Sequence, residues 1–127
     1  MCGIAGGIGF KDHHIDGVLS SIAHRGPDSS GSFVEDKIFL AHTRLAIQDL
    51  SENGNQPMYS EDGRYVIVFN GEIYNHHDVR AKIGNNVTYR STGDTETVLL
   101  AFIRYGQACL NMLNGIFALA IYDRDEK

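Results

Sequence analysis

At 127 residues, with 43% hydrophobic and 21% charged positions, the chain has the make-up of one folded domain with a single core, which excludes disorder as its main state. Its formal charge of −5, from 11 basic and 16 acidic residues with no long block of one sign, argues against a nucleic-acid or anionic-membrane surface. No apolar run reaches bilayer length and no secretory layout opens the chain, so a cytoplasmic location is expected, with Cys2 and Cys109 reduced and Cys109 packing as a small hydrophobe.

Residues 2–10 read as a strand in which Gly3, Gly6, Gly7 and Gly9 invite the close approach of a backbone or ligand, so a substrate-facing strand is expected. Ile15, Val18, Leu19 and Ile22 follow helical spacing and predict an amphipathic helix over a sheet, stopped by His24-Arg25-Gly26-Pro27-Asp28, whose His24 and Arg25 stabilise that turn. Residues 32–34 and 38–42 flank a short polar stretch and predict a hairpin. Arg44 falls where this strand gives way to a turn-rich loop, from which a guanidinium can face a site. Residues 65–69 are apolar on both faces, as in a central strand covered on two sides, and end at Asn70-Gly71.

Asn75 is placed to cap a short helix bearing Val79 and Ile83 and closed by Gly84. Residues 89–91 suggest a brief strand, and 95–105 form the clearest helix, with Val98, Leu99, Phe102 and Tyr105 on one face, Asp94 at its start and Gly106 at its end. Residues 116–122 predict a second buried central strand, followed by a charged turn over 123–127. A hairpin turn without its returning strand would leave a long hydrophobic edge, so a fragment of a larger domain is expected.

Cys2 directly follows Met1. Loss of Met1 would put a thiol and a free α-amine on one residue, and an amine of pKa about 7.7–8.0 can activate that thiol. Position alone equally allows a small buried residue. Thiolate attack on a carboxamide creates an oxyanion, for which the Asn70 carboxamide and the Gly71 amide are suited donors. Arg44 offers a fork for a carboxylate, and Glu72 and Asp94 offer charge for an ammonium, so together they describe a pocket for an amino acid with a side-chain amide. Plainer roles stand beside these: Arg44 as a surface ion-pair partner, Asp94 as a helix cap and Asn70-Gly71 as a turn. The histidine pairs His13-His14 and His76-His77 do not converge on one ligand position, so no metal is expected, and no phosphate-cradling glycine loop is present.

The strings MCGIAG (1–6), HRGPD (24–28), HTRLAI (42–47), FNGEIYN (69–75), GDTE (93–96) and NGIFA (114–118) resemble, in order, the motifs of the glutaminase domain of asparagine synthetase B. That domain is a class II, N-terminal-nucleophile glutamine amidotransferase. The resemblance covers essentially the whole chain. It implies an α+β fold, the αββα sandwich of N-terminal-nucleophile hydrolases, here truncated, with residues 1–127 the N-terminal part of the domain and the ATP-dependent synthetase domain absent. It implies Cys2 as nucleophile, with Asn70 and Gly71 as the oxyanion hole. Arg44 would hold the glutamine α-carboxylate, the backbone around Leu45 and Ile47 would shape that subsite, and Glu72 and Asp94 would hold the substrate's amine and amide. The implied reaction is glutamine hydrolysis to glutamate and ammonia through a Cys2 thioester. Glutamine and the synthetase domain of the same full-length chain are the implied partners, with homo-oligomerisation open and neither nucleic acid nor membrane expected. No cofactor is expected in this domain, ATP and Mg belonging to the synthetase domain. Alternatives are an amidotransferase with another acceptor, such as a sugar, and a catalytically silent binding fragment.

Overall fold

The computed structural model describes residues 2–9 and 14–127; the expected loss of Met1, the strand end at Phe10 and the His13 half of the first histidine pair lie outside the described residues. The elements are β1 (Gly3–Ile8), α1 (Ile15–Ile22), β2 (Ser29–Glu35), β3 (Ile38–Arg44), β4 (Met58–Tyr59), β5 (Tyr65–Ile73), α2 (His76–Ile83), α3 (Asp94–Tyr105) and β6 (Gly115–Asp123). They form two antiparallel sheets, β1-β3-β2 and β4-β5-β6.

Strand alternation builds the layers. Phe33 and Leu40 of the first sheet meet Val66, Val68 and Tyr122 of the second between the sheets. The opposite face of β5 sends Ile67, Phe69 and Ile73 against Val98 and Leu99 of α3. Val79 and Ile83 of α2 pack with Ala101 of α3 and Cys109, whose thiol pKa burial raises. Val66, Ile67 and Val68 are each at most 1% exposed, and burial of this kind contributes on the order of 1.5–3 kcal/mol a side chain. On the far side α1 covers the first sheet, where the Thr43 hydroxyl donates to the Ile22 carbonyl at 2.9 Å. The order is helix, sheet, sheet, helix, the αββα sandwich of the α+β class.

Four local expectations change. A Cβ at Gly3 would lie 2.6 Å from Thr43 Oγ1 and 3.1 Å from Ile22 Cβ, and one at Gly6 would lie 3.1 Å from the Phe39 carbonyl oxygen. These two glycines thus admit a helix and a neighbouring strand, not a substrate. β5 does not stop at Asn70-Gly71 but pairs with β6 through Ile73 opposite Gly115, so the Asn-Gly pair is strand and not turn. Residues 89–91 form no strand, because the Glu96 carboxylate takes the N–H groups of Arg90 and Ser91 at 2.9 and 2.8 Å. Among the described residues β6 pairs only with β5 and is therefore an edge strand, with Ile116 69% exposed.

Asn75 precedes α2 but makes no side-chain cap; its amide instead donates to the Met112 carbonyl at 2.9 Å and accepts from the Asn114 N–H at 2.9 Å. Gly84 and Gly106 end α2 and α3 at φ of 92° and 62°. Among the described residues no helix is long and apolar enough to cross a membrane.

Candidate active site

A pocket forms where β4 ends. β4 pairs Met58 with Ile67 and Tyr59 with Val66 and goes no further toward Ile73. In an antiparallel strand, alternate residues direct their N–H groups to the same edge. On the β4 side, Tyr65 donates to Ser60 Oγ at 2.9 Å, Phe69 to Gln56 Oε1 at 2.6 Å, and Ile73 to Asp94 Oδ2 at 2.9 Å. Gly71 falls between the last two, so its N–H opens into the pocket without a partner among the described residues. A Cβ on Gly71 would lie 2.3 Å from the Ile116 carbonyl oxygen and 2.5 Å from Phe117 Cα, so glycine is what lets β6 lie this close.

Cys2 stands half-buried just before β1. Its sulfur accepts the Leu45 N–H at 3.3 Å, and its thiol donates to the Leu45 carbonyl at 3.6 Å. Arg25 Nε donates to the Cys2 carbonyl at 3.2 Å, and a Cβ on Gly26 would lie 2.4 Å from the Thr43 carbonyl. The Asp28 N–H donates to the Arg44 carbonyl at 2.9 Å, and its Oδ2 accepts the Ala46 N–H at 2.8 Å. The 24–28 motif thus does more than stabilise its own turn: it clamps the pocket ends of β1 and β3 together.

Arg44, the last residue of β3, is 7% exposed. Nη1 donates to the Ser51 carbonyl at 2.6 Å and Asn55 Oδ1 at 2.8 Å, and Nη2 donates to the Asp49 carbonyl. Buried as it is, and with no ion pair among the described residues, Arg44 is not a surface ion-pair partner. Of the five N–H groups of a guanidinium, three hold the loop that follows β3, and two remain without a partner among the described residues. Gly54 makes room for the group, since a Cβ there would lie 2.3 Å from Nη2.

The same loop is laced to the start of α3. Asp49 Oδ2 accepts the Thr92 N–H at 2.9 Å while Oδ1 accepts the Ser51 N–H at 2.8 Å and the Ser51 hydroxyl. The Ser51 hydroxyl first, then these backbone donors, hold the Asp49 pKa down to about 2. Gln48 Oε1 accepts the Asp94 N–H at 3.1 Å. From beneath, Arg80 donates to the carbonyls of Ser91 and Gly93 at 3.1 and 2.8 Å and to Thr97 Oγ1 at 2.7 Å. Its guanidinium lies over the Tyr89 ring at 3.9 Å.

Asp94 is the first residue of α3, with Gly93 as cap. Its carboxylate reaches across to β5 instead of capping the helix. Burial pushes its pKa up, against the lowering effect of the Ile73 N–H, and Glu72 raises it further. Glu72 itself is exposed at the rim.

All eight residues singled out by sequence, Cys2, Arg44, Leu45, Ile47, Asn70, Gly71, Glu72 and Asp94, border this one pocket. Leu45 contributes its backbone to the cysteine sulfur, and Ile47, 66% exposed, lies at the mouth. Sequence reasoning missed Gln48, Asp49, Gln56 and Thr95, which also border it. Gln56 is 8% exposed and its Nε2 donates to Thr95 Oγ1 at 3.2 Å; a buried carboxamide in a turn-rich stretch leaves no periodic signal. Among the described residues no three His, Cys, Asp or Glu side chains converge as a metal site. The arrangement sets a thiol, an open backbone N–H and spare guanidinium N–H groups in the same pocket as two carboxylates, which suits a zwitterion carrying an electrophilic carbonyl.

The whole chain, residues 1–127, matches the family described as glutamine amidotransferase domain. It is 42% identical over 105 residues to the probable glutamine-hydrolyzing asparagine synthetase of Schizosaccharomyces pombe, covering 83% of this chain and 19% of that protein. Against asparagine synthetase 3 of Bacillus subtilis identity is 38%, covering 97% and 21%, and against asparagine synthetase B of Escherichia coli it is 41%, covering 81% and 18%. The chain therefore spans about a fifth of the length of these relatives. A solved structure of glutamine phosphoribosylpyrophosphate amidotransferase from B. subtilis, complexed with ADP and GMP, matches with a TM-score of 0.59 and 22% identity over 72% of this chain and 22% of its own, a likeness of fold.

Proposed function

This chain belongs to the glutamine amidotransferase domain family, and on that premise we propose that it is the glutamine-hydrolysing part of an asparagine synthetase. The observation that carries the reading is the opening of the Gly71 N–H into the same pocket as the Cys2 sulfur, beside the Asn70 carboxamide. With Met1 removed, the Cys2 α-amine takes the thiol proton and the thiolate adds to the glutamine carboxamide carbon. The oxyanion is held by Asn70 Nδ2 and the Gly71 N–H. Collapse expels ammonia, which carries away the proton held by the amine, and leaves a γ-glutamyl thioester. Water activated by the same amine releases glutamate and restores the thiol.

The two N–H groups that Arg44 keeps free of the loop receive the substrate α-carboxylate, and Asp94 and Glu72 receive its ammonium and amide. Ammonia passes to a synthetase part of a longer chain, where ATP and Mg belong, and the protein works in the cytoplasm. Intact-mass measurement before and after exposure to an electrophilic glutamine analogue tests this. Loss of the Met1 mass followed by a single adduct on Cys2 is expected; a retained Met1 with no adduct refutes the activity in this chain.

A further inference from the structure

Three polar atoms buried behind the pocket have no hydrogen-bond partner among the described residues: Nδ1 and Nε2 of His42, and Oδ1 of Asn70. His42 is 0% exposed in the middle of β3, between Ile4 of β1 and Gly31 of β2. A buried donor or acceptor left unmade costs about 1–3 kcal/mol, so such atoms are rarely left together without a use.

The strands bring these atoms to one level. On β3, Leu40, His42 and Arg44 point to the second sheet; on β5, Val66, Val68, Asn70 and Glu72 point to the first. Leu40 packs with Val66 and Val68 at the deep end, and Arg44 and Glu72 both border the pocket at the other. His42 and Asn70 are the intermediate step on each strand. The His42 ring also lies against the backbone of Phe69, the residue before Asn70, without a hydrogen bond of ordinary geometry.

The proposed reaction uses only the nitrogen end of the Asn70 carboxamide. A carboxamide turned by 180° would present its oxygen to the oxyanion and repel it, so something must hold the oxygen end away from the pocket. We propose that His42 is a positioning residue for the oxyanion hole: one ring N–H holds Asn70 Oδ1 through one ordered water, and so keeps Asn70 Nδ2 on the pocket side. Neutral imidazole carries the single N–H this requires. Burial, with the nearby Arg44 charge, brings the His42 pKa down to about 4, so the ring is neutral at pH 7. The inference rests on the reading of Asn70 as an oxyanion donor.

The test uses this chain with and without His42→Phe and His42→Gln. In His42→Phe, kcat for glutamine hydrolysis falls about 100-fold, the scale of one lost oxyanion donor, while KM stays within threefold. Alkylation of Cys2 by iodoacetamide, which needs no oxyanion hole, is unchanged, and His42→Gln, which restores a donor, recovers at least a tenth of the lost rate. Equal loss of hydrolysis and alkylation in a folded variant, or an unchanged kcat, overturns the proposal. If His42→Phe does not fold, nitrogen NMR of the unsubstituted chain decides: a neutral His42 with one bonded N–H and a carboxamide of Asn70 protected from exchange supports it, and a freely exchanging carboxamide refutes it. Failure of the unsubstituted chain to hydrolyse glutamine would sink the functional reading and leave this NMR outcome standing.

Discussion

Arg44→Ala is predicted to loosen the loop after β3 as well as to weaken glutamine binding. The guanidinium, 7% exposed, donates to the carbonyls of Asp49 and Ser51 and to Asn55 Oδ1. A hydrogen bond from a charged group contributes about 1.5–3 kcal/mol when buried; taking about 1 for each acceptor on a partly solvated loop gives about 3 kcal/mol for the set. For a domain of this size, at about 4 °C per kcal/mol, the melting temperature falls by about 12 °C. Calorimetry measures the drop, and hydrogen exchange of the 49–55 amides locates it. Arg44→Lys keeps the charge but not the planar fork and recovers only part of the stability. A melting temperature within about 2 °C of the unsubstituted protein, with exchange over 49–55 unchanged, would refute the reasoning and leave Arg44 as a ligand donor alone.

Gly71→Ala places a Cβ 2.3 Å from the Ile116 carbonyl oxygen, and overpacking against backbone of this kind costs about 1–3 kcal/mol; urea unfolding should show that loss together with slower Cys2 acylation. Arg80→Met frees the carbonyls of Ser91 and Gly93, so KM for glutamine rises about tenfold with kcat within about twofold, as expected when ground-state and transition-state binding weaken equally; a fall in kcat alone contradicts this. His42 is held neutral, its pKa lowered from 6.5 to about 4. The unfolded chain therefore takes up its proton first, and stability present above pH 6.5 is lost as pH falls toward 4, by about 3 kcal/mol at most. His42→Phe should flatten that part of the stability profile, and an unaltered profile refutes the assignment.

Cys2, Arg44, Asn70, Gly71, Glu72 and Asp94 could be read as chemistry because each sits in a short string whose chemistry is local: a thiol beside the N-terminus, a guanidinium at a strand end, a carboxylate at a helix start. The layer order and the places of Leu45 and Ile47 came instead from the resemblance of the motifs taken in order. What resisted reading was settled by distant partners. Asn70-Gly71 reads as a turn until β6, more than forty positions on, pairs across it. Residues 89–91 have strand-like composition, but Glu96 takes the amides that a neighbouring strand would need. The apolar run of β6 signals burial on both faces, yet among the described residues only Tyr122 of that strand is buried. Arg44 was read as facing a site and borders the pocket, while its hold on the loop depends on carbonyls that no sequence pattern marks.

The brevity of β4 ties fold to chemistry. A strand edge exposes a row of N–H groups that another strand ordinarily takes. Had β4 extended four residue pairs further toward the pocket, it would have used the N–H of Gly71 and closed the site. Instead the edge passes from strand to side chain: Gln56 takes Phe69 and Asp94 takes Ile73, at 2.6 and 2.9 Å. Two buried side-chain acceptors thus do for the sheet what a longer β4 would have done, and the single N–H they leave between them faces the thiol's pocket. Replacing Gln56 by Leu would remove the acceptor for Phe69 and loosen the strand immediately before Asn70 and Gly71, the proposed oxyanion donors. Restoring a longer β4 by insertion would stabilise the sheet and abolish the site. Stability and the proposed function therefore compete for one backbone amide.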